Sequence, residues 1–89
     1  MKKMKAKVVA TVYTKGESAN AVKKAIIGNT DYLVALEAAG NMAKILSFTG
    51  WYCSTYANLN ALTHCDYERG VKFENYSNEV LILKLVANK

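Results

Sequence analysis

The residues with the greatest potential for chemistry in this 89-residue chain are two cysteines and one histidine. His64 and Cys65 are adjacent, so on a helix their side chains would point about 100° apart and could not act as nucleophile and base. The two cysteines, His64 and Asp66 lack the paired spacing of a zinc site. The glycines are isolated, so a phosphate-binding loop is also missing. We therefore predict no catalytic residues, no metal, no cofactor and no enzyme activity.

A length of 89 residues predicts a single domain, residues 1–89, and the cysteine count, the N-terminal sequence and the hydropathy predict that it lies in the cytoplasm. Two cysteines are too few for a disulfide framework, so both are expected to be free thiols. The opening MKKMKAKVVATVYTKG has a basic head but a short apolar run, which makes it a poor signal peptide. No run of 18 apolar residues occurs, so no membrane contact is expected.

Positive charge is concentrated in the first half of the chain. Residues 1–44 contain eight lysines and three acidic residues, whereas residues 45–89 contain four basic and four acidic residues, so the net charge of +5 arises in the first half. The four lysines within residues 2–7 would form a cationic edge or arm that can meet phosphate or an acidic partner. Alternatively, they are edge-strand lysines that prevent the sheet from pairing with other chains.

Residues 45–65 contain no Asp, Glu, Lys or Arg. A helix over residues 51–63 would bury an apolar stripe and leave Ser and Thr on its outer side. Because the centres of interfaces favour Trp and Tyr and contain few charges, we predict a contact surface here for another protein or for a second copy in a homodimer. The residues assigned to this partner-binding surface are Trp51, Tyr52, Thr55, Tyr56 and Asn58.

Both ends of the chain are predicted to be β-strands. Residues 4–12 alternate between apolar side chains and mostly polar or basic ones, which indicates a half-buried strand. Residues 71–75 and 79–87 form a predicted hairpin that turns at residues 76–78 and places alternate leucines on one face. These segments predict an antiparallel sheet of at least three strands that contains both chain ends.

The segment between these strands is predicted to be helical. Ser18 can cap a first helix that Gly28-Asn29 closes, and a second helix, capped by Thr30 or Asp31, would close at Gly40-Asn41. Residues 32–48 could instead form a β-hairpin, because Gly-Asn suits a two-residue turn. The alanines there are poor strand formers and favour the helix. The predicted fold class is a small α+β domain with an N-terminal strand, two or three central helices and a C-terminal β-hairpin.

Residues 42–59 fit the apolar spacing of a helix-turn-helix when Ala43 is placed at the fifth position of the motif. Thr49 would cap the second helix. The apolar positions of the motif are filled by Met42, Leu46, Phe48, Cys53 and Tyr56. This segment resembles the helix-turn-helix of small phage-type repressors of the Cro type, which also have a first strand, three helices and a closing hairpin.

The resemblance implies that the second helix enters the major groove of double-stranded DNA, while lysines supply sequence-independent affinity. The residues assigned to nucleic-acid binding in this interpretation are Lys3, Lys5, Lys7, Lys44, Ser54, Thr55 and Asn58. The absence of charge over residues 45–65 favours protein contact. The leading prediction is therefore a small non-catalytic adaptor or inhibitor, with the short lysine-rich, proline-free chain typical of a mobile element. A helix-turn-helix transcriptional regulator is the alternative.

Overall fold

The computed structural model describes residues 4–53 and 66–88, which form a five-stranded antiparallel sheet with one α-helix on one of its faces. In chain order the elements are β1 (Lys5–Thr14), a short 3-10 helix (Ser18–Asn20), β2 (Val22–Asp31), α1 (Tyr32–Phe48), β3 (Tyr52–Cys53), β4 (Val71–Glu74) and β5 (Glu79–Asn88). The strand order is β2-β1-β5-β4-β3. Among these residues no helix is long and apolar enough to cross a membrane. The predicted α+β class is confirmed.

The central strands β1 and β5 pair along their whole length, from Lys5 opposite Asn88 to Thr14 opposite Glu79. Side chains alternate between the two faces of a strand, so the register fixes which residues share a side. The side that faces α1 carries the buried residues Ala6, Val8, Ala10, Leu81, Leu83 and Leu85. The alternation predicted for both terminal strands is therefore confirmed.

Helix α1 packs on the sheet through a stripe of small side chains. Ala35, Ala39 and Ala43 recur every four residues, Leu46 continues the stripe, and all four are buried. Small side chains let the helix approach the strands closely, while Phe73 and the leucines of β5 fill the space beneath. The alanine content that favoured a helix over a hairpin for residues 32–48 thus also forms its packing surface.

The C-terminal hairpin turns at residues 75–78, close to the predicted positions. The side-chain Oδ1 of Asn75 accepts hydrogen bonds from the backbone N–H groups of Ser77 (2.9 Å) and Glu79 (3.0 Å). Asn78 adopts a positive φ of 61°, which Asn tolerates better than most residues. The side chain of Asn75 therefore closes the turn that sets the register of β4 against β5.

The prediction of two or three central helices is wrong for the described residues, which contain one. The first expected helix, from Ser18 to Gly28, is instead the short 3-10 helix followed by β2. Two register shifts, between Val9 and Val8 and between Val8 and Ala6 on the partner strand, interrupt the pairing of β2 with β1. Extra residues of this kind break the two-residue alternation, so apolar residues fall at helix-like spacing.

The predicted stop at Gly40-Asn41 is also wrong, because α1 runs through it to Phe48. The turn comes after the helix, where Gly50 has a φ of 97°. The hydroxyl of Thr49 donates to the carbonyls of Ile45 (3.0 Å) and Leu46 (3.2 Å), so Thr49 ends α1 rather than capping a following helix. Tyr52 and Cys53 form a strand, which corrects the start of the helix expected over 51–63.

Candidate nucleic-acid interface

We call the side of the sheet opposite α1 the open face, because no α-helix of the described residues (4–53 and 66–88) covers it. Its central row runs across four strands, from Lys23 on β2 through Thr11 and Ile82 to Lys72 on β4. Adjacent strands are about 4.8 Å apart, so the two lysines at the ends of this row are separated by about 14 Å. Thr11 and Ile82 are partly exposed between them. The row therefore presents an uncharged centre with a cationic residue at each end.

Two further lysines lie on the same face beside this row. Lys84 of β5 is opposite Val9 of β1, and Lys7 is opposite Val86 in the next row. Both lysines are exposed. The surface groove bounded by these rows has a volume of about 410 Å³, and it is lined by Lys7, Val9, Thr11, Lys23, Ala25, Ile82, Lys84 and Val86. Lysines from both halves of the sequence thus surround one apolar floor.

Tyrosines mark one end of the open face. The row adjacent to the central row begins with Tyr13 on β1 and ends with Tyr52 on β3. Val80 and Glu74 lie between these two tyrosines. Val80 is buried although it lies outside the cluster beneath α1. The rings of Tyr52 and Tyr76 are in contact, with centroids 5.4 Å apart and planes tilted by 42°. These rings give this end of the face flat surfaces on which a planar ligand can stack.

Glu74, the acidic residue at the tyrosine end, forms an ion pair with Lys15. The hydrogen bond from Lys15 to this carboxylate, reinforced by its negative charge, raises the pKa of Lys15 above the ordinary value of 10.5. The pair is partly solvent exposed, so its contribution to stability is small. Lys15 compensates the negative charge that Glu74 would otherwise place beside the lysines of the open face.

Comparison with protein-family models, with curated proteins and with solved structures gave no match. Within residues 4–53 and 66–88, no group of His, Cys, Asp and Glu side chains is arranged to hold a metal ion. Cys53 is a partly buried free thiol on the strand at the sheet edge, as expected from the cysteine count.

The lysines predicted to bind nucleic acid are divided between two sides of the molecule. Lys5 and Lys7 belong to β1 and point to the open face, with Lys5 opposite Asp31 of β2. Lys44 lies on the exposed side of α1, on the other side of the sheet. Because β1 is a central strand, its lysines are not edge-strand lysines, and that alternative is wrong. The edge strand that carries lysines is β2, with Lys23 and Lys24.

The predicted partner-binding surface is described in part. Trp51 is partly buried and packs against the core beneath α1, and its backbone N–H donates to the carbonyl of Leu46 (3.1 Å). Tyr52 is 41% exposed and lies at the tyrosine end of the open face. The other residues assigned to partner or nucleic-acid contact that lie outside the described residues are Lys3, Ser54, Thr55, Tyr56 and Asn58.

Sequence reasoning missed Lys23, Lys72 and Lys84 as members of the candidate site. Lys23 was placed on a helix, and Lys72 and Lys84 belong to a half of the chain that is neutral overall. The available signal was the position of Lys84 among Leu81, Leu83 and Leu85, since it marks the other side of β5. The same alternation, applied to every strand, predicts which lysines lie on one face of the sheet. That prediction also requires the order of the strands, which the sequence pattern does not give.

Proposed function

We propose that this protein is a non-catalytic binding protein that holds a single-stranded nucleic acid on the open face of its sheet. The observation that carries the proposal is the grouping of Lys7, Lys23, Lys72 and Lys84 around an apolar floor. Proteins that bind single strands combine a cationic groove, which follows the phosphates, with side chains on which bases stack. The lysine rows and the tyrosine end correspond to these two requirements.

The charge of the open face argues against a protein partner and against self-association through this face. Lysine is depleted in protein–protein interfaces, whereas it is the usual residue for neutralising phosphates. Two copies that met through this face would bring eight of these lysines together, and like charges in an interface cost free energy. A polyanion gains from the same arrangement because each neutralised phosphate releases condensed counterions.

The shape of the open face favours a single strand over a duplex. The major groove is about 12 Å wide and accepts a helix or a two-stranded ribbon, whereas the central row alone spans about 14 Å. Unstacked bases of a single strand can instead lie against a flat sheet and stack on exposed rings. Tyr13, Tyr52 and Tyr76 provide such rings at one end.

Two predictions from the sequence remain as alternatives for which the described residues offer less support. Protein contact through Trp51 is less favoured, because Trp51 is partly buried and packs against the core. Double-stranded DNA binding through a helix that contains Ser54 and Asn58 depends on residues outside the described ranges. A duplex titration therefore belongs in the test of the proposal.

The proposal is tested by titrating the protein into a labelled single-stranded oligonucleotide of about 16 nucleotides, a length that covers a typical site. The matched duplex is titrated in parallel, and fluorescence anisotropy reports binding. Three neutralised phosphates, at Lys7, Lys23 and Lys84, predict a slope of log K against log salt of about −2, which is roughly 20-fold weaker binding at about 200 mM than at about 50 mM salt.

Tighter binding of the single strand than of the duplex, with this salt slope, is the expected result. Equal or tighter binding of the duplex would favour the helix-turn-helix alternative instead. If neither nucleic acid binds at low salt, the open face does not serve this function.

A further inference from the structure

The exposed side of α1 carries a second surface, on the side of the sheet opposite the open face. Its members are Leu33, Glu37, Gly40, Lys44 and Phe48, which recur at intervals of three or four residues and so share one side of the helix. We call this set the outer helix face. Leu33 is 71% exposed and Phe48 is 77% exposed, so two large apolar side chains stand in solvent at its ends.

We propose that the outer helix face is a homodimer interface, in which α1 of one copy packs antiparallel on α1 of a second copy around a two-fold axis. The two-fold axis passes next to the peptide bond between Gly40 and Asn41. The spacing along α1 carries this proposal, because Leu33 and Phe48 lie equally far from that bond, as do Glu37 and Lys44. The proposal is independent of nucleic-acid binding, which uses the opposite side of the sheet.

Charge and apolarity both match across such an axis. In an antiparallel pair, residues at equal distances on either side of the axis meet, so Glu37 of one copy faces Lys44 of the other, and the reverse. The same symmetry places Leu33 opposite the second copy's Phe48. Each contact occurs twice, with opposite charges inside and apolar side chains at the ends. A parallel pairing would instead place Glu37 beside Glu37 and Lys44 beside Lys44.

Gly40 lies next to the proposed two-fold axis, where the two helices would cross. A Cβ added to Gly40 would meet nothing within 4 Å, so packing inside this chain does not require glycine there. Glycine is nevertheless one of the weakest helix formers, and this one lies in the middle of a 17-residue helix. At the crossing point of two helices, the absence of a side chain lets the backbones approach closely. A groove of about 260 Å³ beside Gly40, bounded by Leu36 and Tyr67, leaves room for the second helix.

The size of the surface sets the expected strength of the dimer. A helix of 17 residues is about 26 Å long, so a single helix pair falls below the roughly 800 Å² per partner of a standard interface. The dimer should therefore be weak and dependent on concentration. Sedimentation velocity from micromolar concentrations to about 1 mM covers the range in which such an interface populates.

The test compares two single charge-reversal variants with the double variant in which Glu37 and Lys44 exchange their charges. Glu37→Lys and Lys44→Glu each place like charges at both symmetric contacts, and each should weaken dimerisation roughly tenfold. The double variant Glu37→Lys with Lys44→Glu restores opposite charges and should recover the wild-type dissociation constant. Such recovery distinguishes a direct contact between these residues from a general effect of surface charge.

Gly40→Leu separates the interface from folding. Leucine is a better helix former and its Cβ would meet nothing within 4 Å on this chain, so the variant should fold with at least the wild-type helix content by circular dichroism. Its dimer should nevertheless be lost, because the helices can no longer approach. A wild-type protein that remains monomeric at every concentration would overturn the proposal. So would a dimer that none of these variants weakens, since it must use another surface.

Discussion

Val9 of β1 lies opposite Lys84 of β5 on the open face, so an apolar and a cationic side chain meet at the centre of the sheet. In the neighbouring row Thr11 and Ile82 lie between Lys23 and Lys72. A solvated face needs no such apolar floor, whereas a surface that binds phosphates and bases together uses both.

The tyrosine end should contribute stacking. Tyr52→Leu removes an aromatic surface from the edge of the open face, and a lost base stack costs about 1–3 kcal/mol of binding free energy. Affinity for a single-stranded oligonucleotide should therefore fall about fivefold or more in an anisotropy titration. Tyr52→Phe keeps the ring and serves as the matched control. If both variants bind as the wild type does, this tyrosine does not contact the strand.

The alanine stripe of α1 should not tolerate larger side chains. Ala39 is fully buried against the sheet, so Ala39→Leu must push the helix away from the strands. Overpacking of this kind lowers the free energy of unfolding by about 1–3 kcal/mol, measured by urea denaturation. Ala38→Leu is the matched control, since Ala38 is partly exposed and the change should be nearly neutral. Equal losses in the two variants would contradict the packing described for α1.

The hairpin turn should depend on one side chain. Asn75→Ala removes the acceptor for the backbone N–H groups of Ser77 and Glu79. Leaving such donors without their partner should cost roughly 1–2 kcal/mol of unfolding free energy. Ser77 donates to Asn75 through its backbone, so Ser77→Ala keeps the bond and should change stability by less than about 0.5 kcal/mol. A larger loss for Ser77→Ala than for Asn75→Ala would show that the turn is held differently.

Stability should fall at alkaline pH, in part through Tyr32. Burial raises the pKa of Tyr32 above its ordinary value of 10.0, and its hydrogen bond to Glu68 (3.2 Å) adds to the shift. The unfolded chain therefore loses this proton first as the pH rises past about 10. The stabilisation is fully present below that pH and is lost as the pH rises through the pKa of the folded state.

The raised pKa of Lys15 acts in the same direction, since the ion pair with Glu74 is lost as Lys15 gives up its proton. Urea denaturation between pH 8 and pH 11 should show the decline, and Tyr32→Phe should make it shallower. Tyr76→Phe, at a side chain 92% exposed, is the control and should leave the profile unchanged. An unchanged profile for Tyr32→Phe would exclude the contribution of Tyr32.

The sequence predicted the elements whose patterns are local and regular. The alternation in β1 and β5 and the polar turn between β4 and β5 were sufficient to locate them. Strand β2 was predicted as a helix because Val22, Ala25 and Ile26 have the i, i+3, i+4 spacing of a helix face, and its two register shifts against β1 interrupt the alternation of a strand. Which strand pairs with which depends on contacts between distant residues, and a strand pattern does not contain that information.

The candidate site was harder to predict than the fold. Lys5 and Lys7 were named correctly as cationic residues of one strand, but Lys44 was grouped with them although α1 carries it to the other side. Net charge counted along the chain located the excess in the first half, whereas the sheet brings Lys72 and Lys84 from the second half beside Lys7 and Lys23. Which lysines lie close together in space depends on the order of the strands in the sheet, and the charge pattern along the sequence does not contain that order.

The most direct test of the open face compares two adjacent lysines. Lys23 pairs with Thr11 and points to the open face, whereas Lys24 pairs with Ala10 and points to the side of α1. Both are exposed on the same edge strand, so Lys23→Glu and Lys24→Glu change the net charge equally. Anisotropy titrations of a single-stranded oligonucleotide at low salt should show roughly tenfold weaker binding for Lys23→Glu and near wild-type binding for Lys24→Glu. Equal losses for the two variants would contradict binding on the open face.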